Sequence, residues 1–385
     1  MLISAAIAPS YDTLRPTMLD SPNAEFPVYP GLVDDLVTAT DCPDPTVQHT
    51  LAVASGYAYA DASTMAEMMA RMGMPHNRCL QATFSVDAMF ITSSAYLVQS
   101  ADGRVVILAY RGTKPADVIS WLGDLDAHPD QIAFPFGDSD GRTYAIHGGF
   151  YRNVRSTRYV IVEALKRAAN GLPIVEPHPD GDADRARMAT SNPDNSSGPL
   201  QPMSTLYVTG HSLGGAMAAL MAVMLATEPE YVSRFADAFH GTYTFGQPMV
   251  GEPAFADRCR DDEFLQERTV RYVYEKDPVP HLPPTAVGKF AHFGQQYRFD
   301  ADRGWDDTTD KPITQDHGFL GLLGLPLSFA ARQLPILRRL PTEYEIDDHG
   351  PHHYISALTP QGVPNEFGDA HLVRPEGGFH PVPGS

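Results

Sequence analysis

Ser212 sits at the centre of Gly210-His211-Ser212-Leu213-Gly214, with apolar residues on both sides. A serine in the spacing G-x-S-x-G is suited to nucleophilic attack on a carbonyl carbon. Its hydroxyl is a weak nucleophile at neutral pH. It needs a histidine to take its proton and a carboxylate to orient that histidine and stabilise the imidazolium. The glycines suit a turn too tight for a Cβ at positions 210 and 214. A helix beginning at the turn would aim free N–H groups and the positive end of its dipole at a developing oxyanion.

The residues around the motif supply the elements such a serine needs. Leu206, Tyr207 and Val208 read as a buried strand, and residues 216–226, nearly all Ala, Met, Leu and Val, read as a helix. The acid should follow a later strand. Residues 269–274 (TVRYVY) form such a run and Asp277 comes just after it, before the proline-rich turn 278–284. Glu275 and Asp257 are the alternatives for the acid. The base should come last, and residues 347–358 offer His349, His352 and His353. A helix starting near Pro351 leaves His349 on a loop free to reach the elbow and puts the other two on a helix, so His349 is preferred. His281 and His292 read as packing or surface histidines.

An oxyanion hole takes two donors. The backbone N–H of Leu213 is one. The other is expected from Thr113 in Tyr110-Arg111-Gly112-Thr113, which follows the continuous apolar run 105–110. His147-Gly148-Gly149-Phe150 is an alternative donor loop. No H-E-x-x-H motif is present, so no metal and no cofactor are expected.

The rest of the chain is read in outline. Residues 46–74 carry one or two helices, 89–98 a strand, 154–169 an amphipathic helix, 242–245 a strand and 252–261 a short helix. Alternating strands and helices predict an α/β fold with a mostly parallel central sheet flanked by helices. Residues 1–45, rich in Pro, Asp and Thr, are expected to wrap the surface. Three segments are expected: an N-terminal extension with helices (1–80), a catalytic domain (81–360) and a C-terminal tail (361–385). The polar stretch 171–204 and the stretch 300–345, with its apolar run 318–329, read as insertions, the second able to cap a site.

Composition narrows the partners. With 28 basic and 47 acidic residues the net charge is −19, which argues against nucleic acid and against purely electrostatic docking on anionic membranes. A neutral ester would not be repelled. Three cysteines without a C-x-x-C pair describe neither a disulfide framework nor a zinc site. The apolar start of the chain lacks a basic flank, which predicts a cytoplasmic protein or one secreted without a clear signal peptide, and no transmembrane segment.

The order Ala109-Tyr110-Arg111-Gly112-Thr113, Trp121 to Leu125, His147 to Phe150, the elbow, Tyr243 to Gly251, Asp277 to Pro284 and Asp348-His349 to Tyr354 resembles the fungal-type triacylglycerol lipases, or class 3 lipases, over roughly residues 80–360. The resemblance implies an α/β-hydrolase fold and hydrolysis of acylglycerols or similar lipid esters. Position by position it implies Ser212, Asp277 and His349 as the triad, with Thr113 and Leu213 as oxyanion donors. It also implies a lid after Thr113, with Val118, Ile119, Trp121 and Leu122 forming an apolar face at a lipid–water interface. A phospholipase A-type or small-ester esterase would use the same triad. A hydrolase-like scaffold that binds lipid without turnover is the reading from another class.

Overall fold

The computed structural model of the chain describes residues 2–8, 27–86, 91–112, 129–137, 141–175, 199–315, 346–360 and 363. Thr113, the lid residues Val118, Ile119, Trp121 and Leu122, and the apolar run 318–329 lie outside the described residues, as do 176–198 of the polar insertion and the tail beyond 363.

The chain opens with β1 (Leu2–Ile7), α1 (Leu32–Thr38), α2 (Pro45–Tyr57) and α3 (Ala62–Met72), then β2 (Arg78–Val86), β3 (Ile91–Gln99) and β4 (Val105–Tyr110). A ribbon of β5 (Pro129–Ala133) and β6 (Thr143–His147) leads into α4 (Gly148–Ala169). There follow β7 (Thr205–His211), α5 (Leu213–Thr227), α6 (Pro229–Phe235), β8 (Phe239–Phe245), α7 (Pro253–Arg260), α8 (Glu263–Arg268) and β9 (Thr269–Tyr274). The hairpin β10 (Gln295–Asp300) and β11 (Gly304–Asp307) and helix α9 (Pro351–Leu358) complete the described elements.

Among the described residues the main sheet has the order β1-β2-β3-β4-β7-β8-β9-β10-β11. Its middle, β4 through β10, is parallel. Antiparallel strands flank it at both edges. Residue types explain the layering. In β4 every side chain is buried: Val106, Leu108 and Tyr110 enter the core on one face, and Val105, Ile107 and Ala109 the core on the other. A strand covered on both faces needs no polar alternation, which is why this run is apolar throughout. Helices α4 and α5 cover the first face, with α6 and α8 packed against them or beside them. Helices α1, α2, α3 and α9 cover the second. Helix α5 is apolar on every side because it is enclosed between the sheet, α4 and α6. This is an α/β arrangement, a mostly parallel central sheet flanked by helices.

Three expectations need correcting. The first residues do not simply wrap the surface, since Leu2–Ile7 adds an antiparallel edge strand to β2, and Leu32 and Leu36 of α1 are fully buried. An edge strand covered on one side only leaves a short apolar run with no period to read. The helix read as 154–169 begins at Gly148. Two glycines in its first turn weaken the local helix signal, while His147 caps it through a contact from the Phe150 N–H. The start of the stretch 300–345 is sheet, because β11 pairs with β10.

Candidate active site

The elbow is built by strand β7 running directly into helix α5. Ser212 lies between them at φ 60° and ψ −131°, a conformation disfavoured for a residue with a Cβ. Such positions cost on the order of 1–3 kcal/mol and persist only where the surroundings fix them. Here the Ser212 N–H donates to the Phe245 carbonyl at 2.9 Å, and the Ser212 carbonyl accepts from Gly215 at 2.9 Å. A Cβ on Gly210 would run into the Gly214 carbonyl, and one on Gly214 into the Tyr110 carbonyl. Helix and strands therefore approach as closely as backbones allow. Leu213 is the first residue of α5, where a helix offers its own N–H groups no acceptor.

Two further loops reach the same sheet edge. Asp277 follows β9, and its loop is pinned by the Asp277 N–H donating to the Tyr274 carbonyl at 2.9 Å. His349 ends a short 3-10 turn (Ile346–His349) before α9. The two loops are tied by the Lys276 N–H, which donates to Asp348 Oδ2 at 3.2 Å. His349 Nδ1 lies 2.8 Å from Asp277 Oδ2, and both residues are almost completely buried (4% and 1% exposed). A carboxylate acceptor on Nδ1 fixes the proton there and leaves Nε2 with a lone pair. Neither His349 Nε2 nor Ser212 Oγ has a hydrogen-bond partner among the described residues.

Asp277 is surrounded by donors. Tyr354 donates its hydroxyl to Oδ2 at 2.6 Å, and the Val279 N–H donates to Oδ1 at 2.9 Å. Burial alone pushes the carboxyl upward and is the largest single influence. His349, Tyr354 and the Val279 N–H together outweigh it, so Asp277 is held below the usual carboxylate range. Tyr354 is pushed upward by burial and by that same carboxylate, which keeps its hydroxyl protonated and able to donate.

Gly246 makes room for the pair. It sits at φ 58° just after β8, and a Cβ there would lie 2.6 Å from Asp277 Oδ2 and 2.9 Å from His349 Nδ1. Gly112, the last described residue before Thr113, is as close to the nucleophile: a Cβ there would meet the His211 carbonyl at 2.6 Å and Ser212 Cβ at 3.1 Å.

Residues 196–287 match the profile of the family described as Lipase (class 3). The matched stretch, about a quarter of the chain, contains Ser212 and Asp277. The chain is 47% identical over 96 residues to the lipase of Rhizomucor miehei, covering 25% of the chain and 24% of that protein. It is 24% identical over 237 residues to triacylglycerol lipase OBL1 of Arabidopsis thaliana, covering 56% of the chain and 42% of that protein. It thus spans less than half the length of these curated relatives. Among solved structures it resembles lipase II from Rhizopus niveus at 21% identity, covering 68% of the chain and 82% of that structure, with a TM-score of 0.44.

The alternatives weighed for each role lie elsewhere. Glu275 Oε1 accepts from the Ala301 N–H at 2.6 Å, which points it at the β10–β11 turn. Asp257 pairs with Arg260 on the exposed face of helix α7. His353 stacks on Tyr274, with centroids 5.1 Å apart, and His352 neighbours it. His281 faces the Thr314 carbonyl at 3.1 Å. His292 donates Nε2–H to the Pro280 carbonyl at 2.8 Å, bracing the turn that follows Asp277. Burial and the Arg271 cation hold its pKa well below the usual histidine value, so it stays neutral. His147-Gly148-Gly149-Phe150 opens α4, with the His147 and Phe150 rings stacked at 3.8 Å. All three cysteines are free. Among the described residues no cluster of potential metal ligands occurs, and no helix is long and apolar enough to cross a membrane.

Four residues of the site had no role in the sequence reading: Tyr354, Gly246, Asp348 and His211. Gly246, directly after a strand, carried a local signal. The other three act only through partners far away in the chain.

Proposed function

We propose that this protein is a class 3 lipase that hydrolyses carboxylic esters of acylglycerols or related lipids through an acyl-enzyme on Ser212. The observation that carries the reading is the buried 2.8 Å contact between His349 Nδ1 and Asp277 Oδ2, at the sheet edge where Ser212 is held in a strained elbow. With the Nδ1 proton engaged by Asp277, His349 Nε2 takes the Ser212 hydroxyl proton as Oγ bonds to the ester carbonyl carbon. The carbonyl oxygen becomes an oxyanion, received by the Leu213 N–H and, on the resemblance, by Thr113. His349 then gives its proton to the departing alcohol as the ester C–O bond breaks. A water molecule repeats the sequence on the acyl-serine, releasing the fatty acid and restoring Ser212. Asp277 stays ionised throughout, as its lowered pKa requires.

The acylglycerol substrate class rests on relatives named triacylglycerol lipase and secreted mono- and diacylglycerol lipase. Val118, Ile119, Trp121 and Leu122 are proposed as a lid that meets lipid. The test is labelling by a fluorophosphonate together with turnover of p-nitrophenyl esters, acylglycerols and phospholipids. Ser212→Ala should abolish labelling and lower turnover by at least a thousandfold at an unchanged melting temperature. Near-wild-type hydrolysis by Ser212→Ala overturns the mechanism, and a clear preference for phospholipid overturns the substrate class.

A further inference from the structure

His211, the residue before the nucleophile, makes two hydrogen bonds that link three separate parts of the chain. Its Nε2 lies 2.7 Å from the carbonyl oxygen of His349. A carbonyl only accepts, so His211 Nε2 carries the proton. Its Nδ1 lies 2.9 Å from the hydroxyl of Tyr59. Burial, and then the neighbouring His349, hold the His211 pKa well below the usual histidine value, so the ring is neutral. A neutral imidazole has one N–H, and that one is used on His349. Nδ1 is therefore an acceptor, and Tyr59 donates to it.

Tyr59 is itself held in place. It lies in the short connection between α2 and α3, where the next residue, Ala60, has its carbonyl bonded by the Tyr96 hydroxyl of β3 at 2.5 Å. Asp61 caps α3 immediately afterwards, its side chain accepting from the Thr64 N–H at 2.8 Å. The Tyr59 and His211 rings meet edge to face at 5.9 Å, and the His211 and His349 rings lie 4.5 Å apart.

We infer that Tyr59 and His211 are positioning residues, a relay from the helix pair α2–α3 through the elbow to the backbone of His349 that sets the general base against the nucleophile. This inference rests on the hydrolase reading and adds to it the device that fixes the distance between base and nucleophile. The logic is geometric. His211 is covalently next to Ser212, so anchoring the His349 carbonyl to its ring ties the loop of the base to the backbone of the nucleophile. Asp277 orients the His349 ring but comes from a different strand. Without the relay, the His349 loop would be tied to the neighbouring Asp277 loop and not to the elbow. Small displacements of a catalytic group carry large losses in rate.

The test is a double-mutant cycle on the full chain with Tyr59→Phe, His211→Ala and the pair, plus His211→Gln as the conservative variant. Gln keeps an N–H donor near the position of Nε2. The readouts are kcat and KM on p-nitrophenyl butyrate, the rate of Ser212 modification by a fluorophosphonate, and the melting temperature. Tyr59→Phe should lower kcat about tenfold and His211→Ala about a hundredfold, with KM within a factor of two. His211→Gln should recover most of the loss. In the His211→Ala background Tyr59→Phe should cost nothing further. Losses that multiply, or a melting temperature that falls while kcat of the folded enzyme holds, overturn the relay. If fluorophosphonate leaves wild-type Ser212 unmodified, the hydrolase reading fails, and the relay is then judged by the ring ¹⁵N signals of His211. An Nε2–H tautomer whose Nδ1 signal shifts in Tyr59→Phe sustains it, and an Nδ1–H or protonated ring in the wild type, or an Nδ1 signal that Tyr59→Phe leaves unmoved, refutes it.

Discussion

Replacing Tyr354 by phenylalanine tests the balance that keeps Asp277 ionised inside the protein. The Tyr354 hydroxyl donates to Asp277 Oδ2 at 2.6 Å and accepts from the Tyr274 N–H at 3.1 Å, with all three residues buried. Tyr354→Phe keeps the ring and deletes only the oxygen. A hydrogen bond to a charged acceptor contributes about 1.5–3 kcal/mol, and a stranded buried N–H costs about 1–3 kcal/mol. Partial relaxation offsets some of this, so a loss of about 3 kcal/mol at pH 7 is expected, a large share of the 5–15 kcal/mol typical of a folded domain. The pH dependence has a definite sign. Asp277 in the folded protein lies below the ordinary carboxyl value of 3.8. Its contribution to stability is therefore complete above that value and is lost as pH falls through the folded pKa. Removing a donor that favours the ionised carboxylate raises the folded pKa of Asp277, and the window of acid destabilisation should move up with it. Urea unfolding of both proteins at a series of pH values between about 3 and 7 reads this as a difference in ΔG. The kcat should fall by less than tenfold, because the bond between His349 and Asp277 remains. Equal unfolding free energies at pH 7, or an acid limb that does not move, would refute the reasoning.

The remaining expectations concern the frame around the site. Gly246→Ala places a methyl 2.6 Å from Asp277 Oδ2 at a positive φ, so kcat should fall at least a hundredfold, whereas the exposed Gly137, with open space around it and no positive φ, should tolerate Ala with kcat unchanged. Leu108→Ala in β4 leaves a cavity in a core residue with no exposure and should cost about 2–5 kcal/mol in urea unfolding, with fluorophosphonate labelling of the folded fraction intact. Thr113→Val removes a hydroxyl and keeps the backbone N–H. A hundredfold drop in kcat at unchanged KM, about 3 kcal/mol, is expected if the hydroxyl receives the oxyanion, and an unchanged kcat assigns that work to the N–H alone.

What was legible in the sequence is what depends on neighbours in the chain. The elbow could be read because its strand, turn and helix are contiguous, and the glycine requirement is local. Buried strands such as β4 and β9 announce themselves as unbroken apolar runs, because a sheet covered on both faces removes the need for polar positions. Asp277 and His349 were nameable because each follows or precedes a readable element. The edge strand β1, the true start of α4 and the hairpin β10–β11 were not legible, since half-covered edges and glycine-opened helices carry weak periodicity. Only the tertiary structure decided the supports of the site. The Tyr354 contact with Asp277 spans 77 residues, that of His211 with His349 spans 138, and that of Tyr59 with His211 spans 152. A tyrosine on a helix or a histidine beside a serine has no pattern that names a partner so far away. Their roles arise when three loops meet at one sheet edge, where burial makes each unmatched donor costly and so fixes which groups must pair.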